Sequence, residues 1–228
     1  RNARCRDRGA GVVGLLRVGI LISGRGSNMQ ALIAACRTAG FPAEIALVLS
    51  NNPAAPGLAT AAQAGIPTKV IDHRSYGDRA AFDAAIDEAL RQAGVELVCL
   101  AGFMRLLTDG FVEAWRDQMI NIHPSLLPAF PGLRTHERVL AAGARFTGCT
   151  VHFVRPEMDT GPIIAQAVVP VRPDDTADSL AARVLEQEHK IYPLALRLIA
   201  EGRVRIDGEK SSIVDDRVPE AVLISPIA

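Results

Sequence analysis

Val18-Gly19-Ile20-Leu21-Ile22-Ser23-Gly24-Arg25-Gly26-Ser27-Asn28-Met29-Gln30-Ala31-Leu32-Ile33-Ala34-Ala35-Cys36-Arg37 is the stretch that decides the fold. Val18 to Ile22 reads as a strand, Ser23 to Asn28 as a glycine-punctuated loop, and Met29 to Arg37 as a helix. Outward from it the chain repeats the same rhythm. Ile45 to Leu49 is a second strand, with a helix over Gly57 to Ala64. Lys69 to Ile71 is a third, followed by an amphipathic helix over Arg79 to Gln92, and Leu97 to Ala101 is a fourth. Strands alternating with helices predict parallel neighbours joined by right-handed crossovers.

After residue 118 the rhythm changes. Met119 to Ile122 reads as a strand and Glu137 to Ala142 as a short helix. Thr150 to Val154 and Ile163 to Val171 read as an antiparallel hairpin, Thr176 to Ala200 as a long helix, and Arg203 to Ile206 as a short strand. The expected organisation is a leader over 1–16 without expected order, one domain over 17–207, and a C-terminal tail over 208–228 with no period. The sheet is expected to have a Rossmann-like parallel N-terminal half and a mixed C-terminal half.

The bulk numbers exclude several function classes. Of 228 residues, 49% are hydrophobic and 22% charged, and 25 basic residues balance 25 acidic ones. A chain of zero formal charge has no global electrostatic attraction for nucleic acid or membranes. Arg1, Arg4, Arg6 and Arg8 make the leader basic, and the apolar run Val12 to Leu16 after them is short for a signal peptide. Cys5, Cys36, Cys99 and Cys149 include no Cys-x-x-Cys pair. Cys36, Cys99 and Cys149 read as buried thiols, which fits a reducing cytoplasm.

The Ser23 to Asn28 loop has the chemistry of an anion site. Glycines let the backbone approach closely, and a helix N-terminus offers unpaired N–H groups with a favourable dipole. The third glycine of the dinucleotide fingerprint is absent, as is the lysine of the triphosphate loop, which argues for one phosphate. Ser27 and Asn28 could instead cap the helix.

Asn121-Ile122-His123-Pro124-Ser125-Leu126-Leu127-Pro128-Ala129-Phe130-Pro131-Gly132 carries the acid–base chemistry. Residues two apart on a strand share a face, so Asn121 and His123 project together. The prolines forbid a helix and stiffen the loop. An imidazole beside a neutral amide donor suits acyl transfer, in which a proton moves and an oxyanion develops. Asp159 lies in a loop closed by Gly161 and Pro162, where it either serves the turn or faces His123. His123, His136, His152 and Asp159 have no metal-ligand spacing, and Ser125 lacks a nucleophile elbow.

Five collinear segments resemble glycinamide ribonucleotide formyltransferases: Ile20 to Asn28, Leu100 to Arg105, Asn121 to Gly132, Asp159 to Pro162, and Gln187 to Pro193. The resemblance implies a single-domain α/β fold of the formyltransferase type. It implies transfer of a formyl group from 10-formyltetrahydrofolate to the amine of glycinamide ribonucleotide, in de novo purine biosynthesis. Asn121, His123 and Asp159 are then catalytic. Gly26, Ser27 and Asn28 hold the substrate phosphate, and Glu188, on its own merits an exposed helix residue, meets the ribose. Arg79, Met104, Arg105, Leu106, Leu107 and Asn121 meet the folate. No metal, nucleic acid or membrane is implied, and the chain is expected as a monomer or homodimer. Thr160 stands where two glycines commonly follow the aspartate.

Three other functions would share part of this pattern. A formyltetrahydrofolate deformylase is expected to carry an N-terminal regulatory domain, for which the sixteen residues before Arg17 leave no room. A methionyl-tRNA formyltransferase is expected to have a C-terminal RNA-binding domain and a basic surface. A phosphate-binding regulatory module would leave Asn121, His123 and Asp159 unexplained together.

Overall fold

The computed structural model describes residues 14–217 and 219–225; most of the expected leader, with Cys5, lies outside them. Strands β1 (Leu16–Ile22), β2 (Ala43–Ser50), β3 (Thr68–Val70), β4 (Leu97–Leu100), β5 (Met119–His123), β6 (Phe146–Phe153) and β7 (Ile163–Pro170) form one sheet. Their spatial order is β3-β2-β1-β4-β5-β6-β7. Pairing is parallel from β3 to β5, then antiparallel between β5 and β6 and between β6 and β7. The order reverses at β1, whose neighbours are β2 and β4. In open sheets of this kind the crevice beyond the strands' carboxyl ends, at the reversal, is where ligands bind.

Helices cover both faces. On one side lie α1 (Ser27–Cys36), α2 (Pro56–Gln63), α5 (Thr135–Ala141) and α6 (Ala177–Ala200). Met29, Leu32, Val139, Leu180, Val184 and Leu196 bury their side chains there against Val18, Ile20 and Val151. On the other side lie α3 (Arg79–Gln92) and α4 (Asp109–Ala114), whose Phe82, Ile86, Leu90 and Phe111, with Trp115 just after α4, pack on Leu21, Leu49 and Val98. Residues alternate faces along a strand, which explains why Ile20 and Leu21 belong to different cores. Tyr192 ties the α6 layer to the sheet, its hydroxyl lying 2.9 Å from the Leu100 carbonyl and 3.2 Å from that of Ile120.

Helix α3 has the bounds its periodicity predicts, started by Asp78, whose carboxylate accepts from Ala81 N–H at 2.8 Å. Helix α4 is not predicted from the sequence. Six residues show no usable period, and it is held by Thr108, which caps Phe111 N–H and binds Asp83 through both its N–H and its hydroxyl. Two other expectations are corrected. Cys36 is half-buried rather than fully buried. The stretch after Gly208, expected to have no regular structure, contains β9 (Lys210–Ile213), paired antiparallel with β8 (Val204–Asp207).

Candidate active site

The adjacent parallel strands β1, β4 and β5 all end at the edge of the sheet where such a crevice is expected. The first is the end of β1. Gly26 is the N-cap of α1 with φ 69°, a left-handed conformation that glycine adopts without strain. No side chain among the described residues caps the helix, so neither Ser27 nor Asn28 plays the capping part open to it, and the first-turn amides are of the kind that suits an anion. The buried Asn28 side chain points inward, donating from Nδ2 to Glu188 Oε2 at 2.6 Å. Glu188 is therefore not the exposed helix residue its position predicts. It is 8% exposed, because α6 packs on α1. Burial pushes its carboxyl above the usual range, and the Asn28 bond only partly opposes this. Asn28 Oδ1 is buried with no hydrogen-bond partner among the described residues.

The second is the end of β4. Met104 N–H donates to Ser23 Oγ at 2.8 Å, and the Ser23 hydroxyl donates to Asn51 Oδ1 at 2.6 Å, so the segment after β4 is tied to the ends of β1 and β2. Met104 and Leu106 are 70% and 61% exposed. Arg105 is exposed as well, while Leu107 turns toward the α3–α4 core. Exposed apolar side chains beside a fixed backbone N–H form a surface suited to a flat heterocycle. Arg79 is exposed at the first position of α3, and none of the polar contacts described for Asn121, His123 and Asp159 involves it.

The third is the end of β5. His123 is 5% exposed, its Nε2 lying 3.0 Å from the Phe130 carbonyl and its Nδ1 3.4 Å from Asp159 Oδ2. A carbonyl only accepts, so Nε2 carries a hydrogen, and the remaining nitrogen faces a carboxylate. The proline-rich loop is braced around the ring. The Ser125 hydroxyl donates to the Ala129 carbonyl at 2.6 Å, and Thr150 Oγ1 accepts from Leu127 N–H at 3.1 Å. The loop contains a cis Leu127–Pro128 bond. Asp159 has φ 57° and accepts from Gly132 N–H at 2.7 Å, so the turn and the approach to His123 occur together.

His152 is the residue that sequence reasoning quotes but gives no role. Antiparallel pairing sets it opposite Asn121. Its Nδ1 lies 2.9 Å from the Phe153 carbonyl and so carries the hydrogen. Burial lowers its pKa, which favours the neutral ring, and Nε2 then accepts from Asn121 Nδ2 at 3.3 Å. The Asn121 amide is thereby oriented, with its second N–H left over. His152 Nε2 is also 3.8 Å from Asp159 Oδ1, so Asp159 lies between two imidazoles. Only the β5–β6 register could have disclosed this. Among the described residues no group of three or more His, Cys, Asp or Glu side chains could hold a metal, and no helix is long and apolar enough to cross a membrane.

Comparison with known proteins gives a consistent answer. The family model for formyl transferases matches residues 16–196. The chain is 54% identical over 197 residues to the trifunctional purine biosynthetic protein adenosine-3 of Bos taurus, covering 86% of this chain and 19% of that protein. It thus spans about a fifth of the length of the trifunctional relatives it matches. It is 42% identical over 204 residues to the phosphoribosylglycinamide formyltransferase of Escherichia coli K12, covering 90% of this chain and 96% of that one. The crystal structure of glycinamide ribonucleotide transformylase 1 from Symbiobacterium toebii superposes with a TM-score of 0.86 at 48% identity, over 88% of this chain and 95% of that one.

Proposed function

This chain belongs to the formyl transferase family, and on that premise we propose that it transfers a formyl group from 10-formyltetrahydrofolate to the amine of glycinamide ribonucleotide. The observation that carries the reading is the 3.4 Å approach of Asp159 to His123, with Asn121 on the same strand. The amine attacks the formyl carbon, a tetrahedral intermediate forms, and collapse breaks the bond to the folate nitrogen. The attacking amine loses one proton and the departing folate nitrogen gains one, so the products are formylglycinamide ribonucleotide and tetrahydrofolate.

For Asn121, His123 and Asp159 the contacts support a part for each. The Asn121 N–H that His152 leaves over donates to the developing oxyanion. The hydrogen on His123 Nε2, held by the Phe130 carbonyl, is the second donor once that carbonyl yields. Asp159 orients His123 through Nδ1 and helps move the proton through water. The substrate phosphate is assigned to Gly26, Ser27 and Asn28. Because Asn28 Nδ2 is committed to Glu188, Asn28 serves the phosphate through its backbone N–H. Glu188 accepts from a ribose hydroxyl. Met104, Arg105, Leu106 and Leu107 receive the folate, with Arg79 toward its far end.

Substitution tests the assignment. His123→Ala should lower the single-turnover rate of formyl transfer by about 10²–10⁴-fold, the usual yield of a positioned acid–base group. Nucleotide affinity, measured by calorimetry, should stay within about threefold, because the phosphate site is on a different strand end. An unchanged rate contradicts the catalytic role of His123.

A further inference from the structure

The loop between β6 and β7 holds Asp159 in a strained backbone conformation, yet both of its roots are fastened from outside the main sheet. At the first root Arg155 is buried, with a side-chain exposure of 5%. Its Nε donates to Glu209 Oε2 at 2.8 Å, its second terminal nitrogen to Asp117 Oδ1 at 2.7 Å, and its first to the Val154 carbonyl at 3.1 Å. At the second root the Ser211 hydroxyl donates to the Ile163 carbonyl. Glu209 and Ser211 belong to the turn and second strand of the β8–β9 hairpin. Glu209 is itself steadied by Arg116, which donates to Oε1 at 2.7 Å.

We propose that the C-terminal hairpin is a positioning element for the reaction, with Arg155, Glu209 and Ser211 fixing the two ends of the loop that sets Asp159 against His123. The inference rests on the formyl-transfer reading above, since it concerns the carboxylate assigned there to catalysis.

The geometry separates this role from ordinary surface pairing. Exposed ion pairs stabilise a fold by little. Here the shared arginine is buried, two carboxylates converge on it, and its Cγ packs at Gly161, where an added Cβ would stand 3.1 Å away. A guanidinium fork donating in two directions fixes orientation as well as distance. Asp159 is four residues beyond Arg155 and four before Ile163, so slack at either root reaches the carboxylate. Misplacement by about 1 Å is enough to cost on the order of 10²-fold in rate.

The test uses the whole chain with Glu209→Ala and Ser211→Ala combined, both outside the crevice. Steady-state kinetics are expected to show kcat lower by about tenfold, with KM for the nucleotide within about twofold. Arg155→Lys, which keeps the charge but loses the fork, is expected to fall between this variant and the unsubstituted protein. An unchanged kcat overturns the proposal, as does a kcat that falls only in proportion to unfolded protein measured by circular dichroism. Asp159→Asn is assayed in parallel. If Asp159→Asn is inactive while the hairpin variant is fully active, the hairpin inference alone fails. If Asp159→Asn retains full activity, the underlying site assignment fails with it.

Discussion

Glu188 shows how a single buried carboxyl can cost stability. It is buried, its one side-chain hydrogen-bond partner among the described residues is the neutral Asn28, and desolvation raises its pKa. A raised carboxyl is protonated in both folded and unfolded chains below about 4.5. Above that the unfolded chain releases its proton first, so stability falls until the folded pKa is passed. Glu188→Gln keeps an acceptor for Asn28 and removes the titration. Its melting temperature should exceed that of the unsubstituted protein at pH 7.5. The difference should shrink as pH is lowered toward 4.5. On the ribose-acceptor role proposed above for Glu188, nucleotide binding should weaken as well. A variant that melts lower at pH 7.5 contradicts this account of Glu188.

Elements place these residues, and the β6–β7 connection is among the most exacting of them. A Cβ at Gly161 would stand 1.8 Å from the Phe153 carbonyl oxygen, so no side chain fits without parting the strand ends. Gly161→Ala should therefore destabilise the protein by about 2–4 kcal/mol, in the upper range for single substitutions. The folded fraction should also lose formyl transfer, because Asp159 moves with the loop. Chemical denaturation and a rate normalised to folded protein check both, and normal activity contradicts the second. The strand–loop–helix unit at Val18 to Arg37 and the face shared by Asn121 and His123 were legible in the sequence, since both follow from local period. Helix α4 was too short for any period to register. The partnership of His152 with Asn121, and of Glu188 with Asn28, depends on pairing across 31 and 160 residues. No local pattern records such contacts.

At the scale of the whole molecule, the sheet reversal at β1 gathers three loops into one crevice. The β1 end offers amides at the start of α1, the β4 end an apolar shelf fixed by Ser23, and the β5 end a histidine between a carbonyl and a carboxylate. On the function proposed above, separate strand ends for the nucleotide, the folate and the proton-transfer groups would hold the amine against the formyl carbon, rather than merely activate water near it. Rate enhancement by such positioning requires both substrates to be present. The most direct measurement is tetrahydrofolate release from 10-formyltetrahydrofolate, followed with and without glycinamide ribonucleotide. The account predicts release that depends on the nucleotide and matches formylglycinamide ribonucleotide formed, mole for mole. Release at the full rate without the nucleotide would contradict it and make water the acceptor.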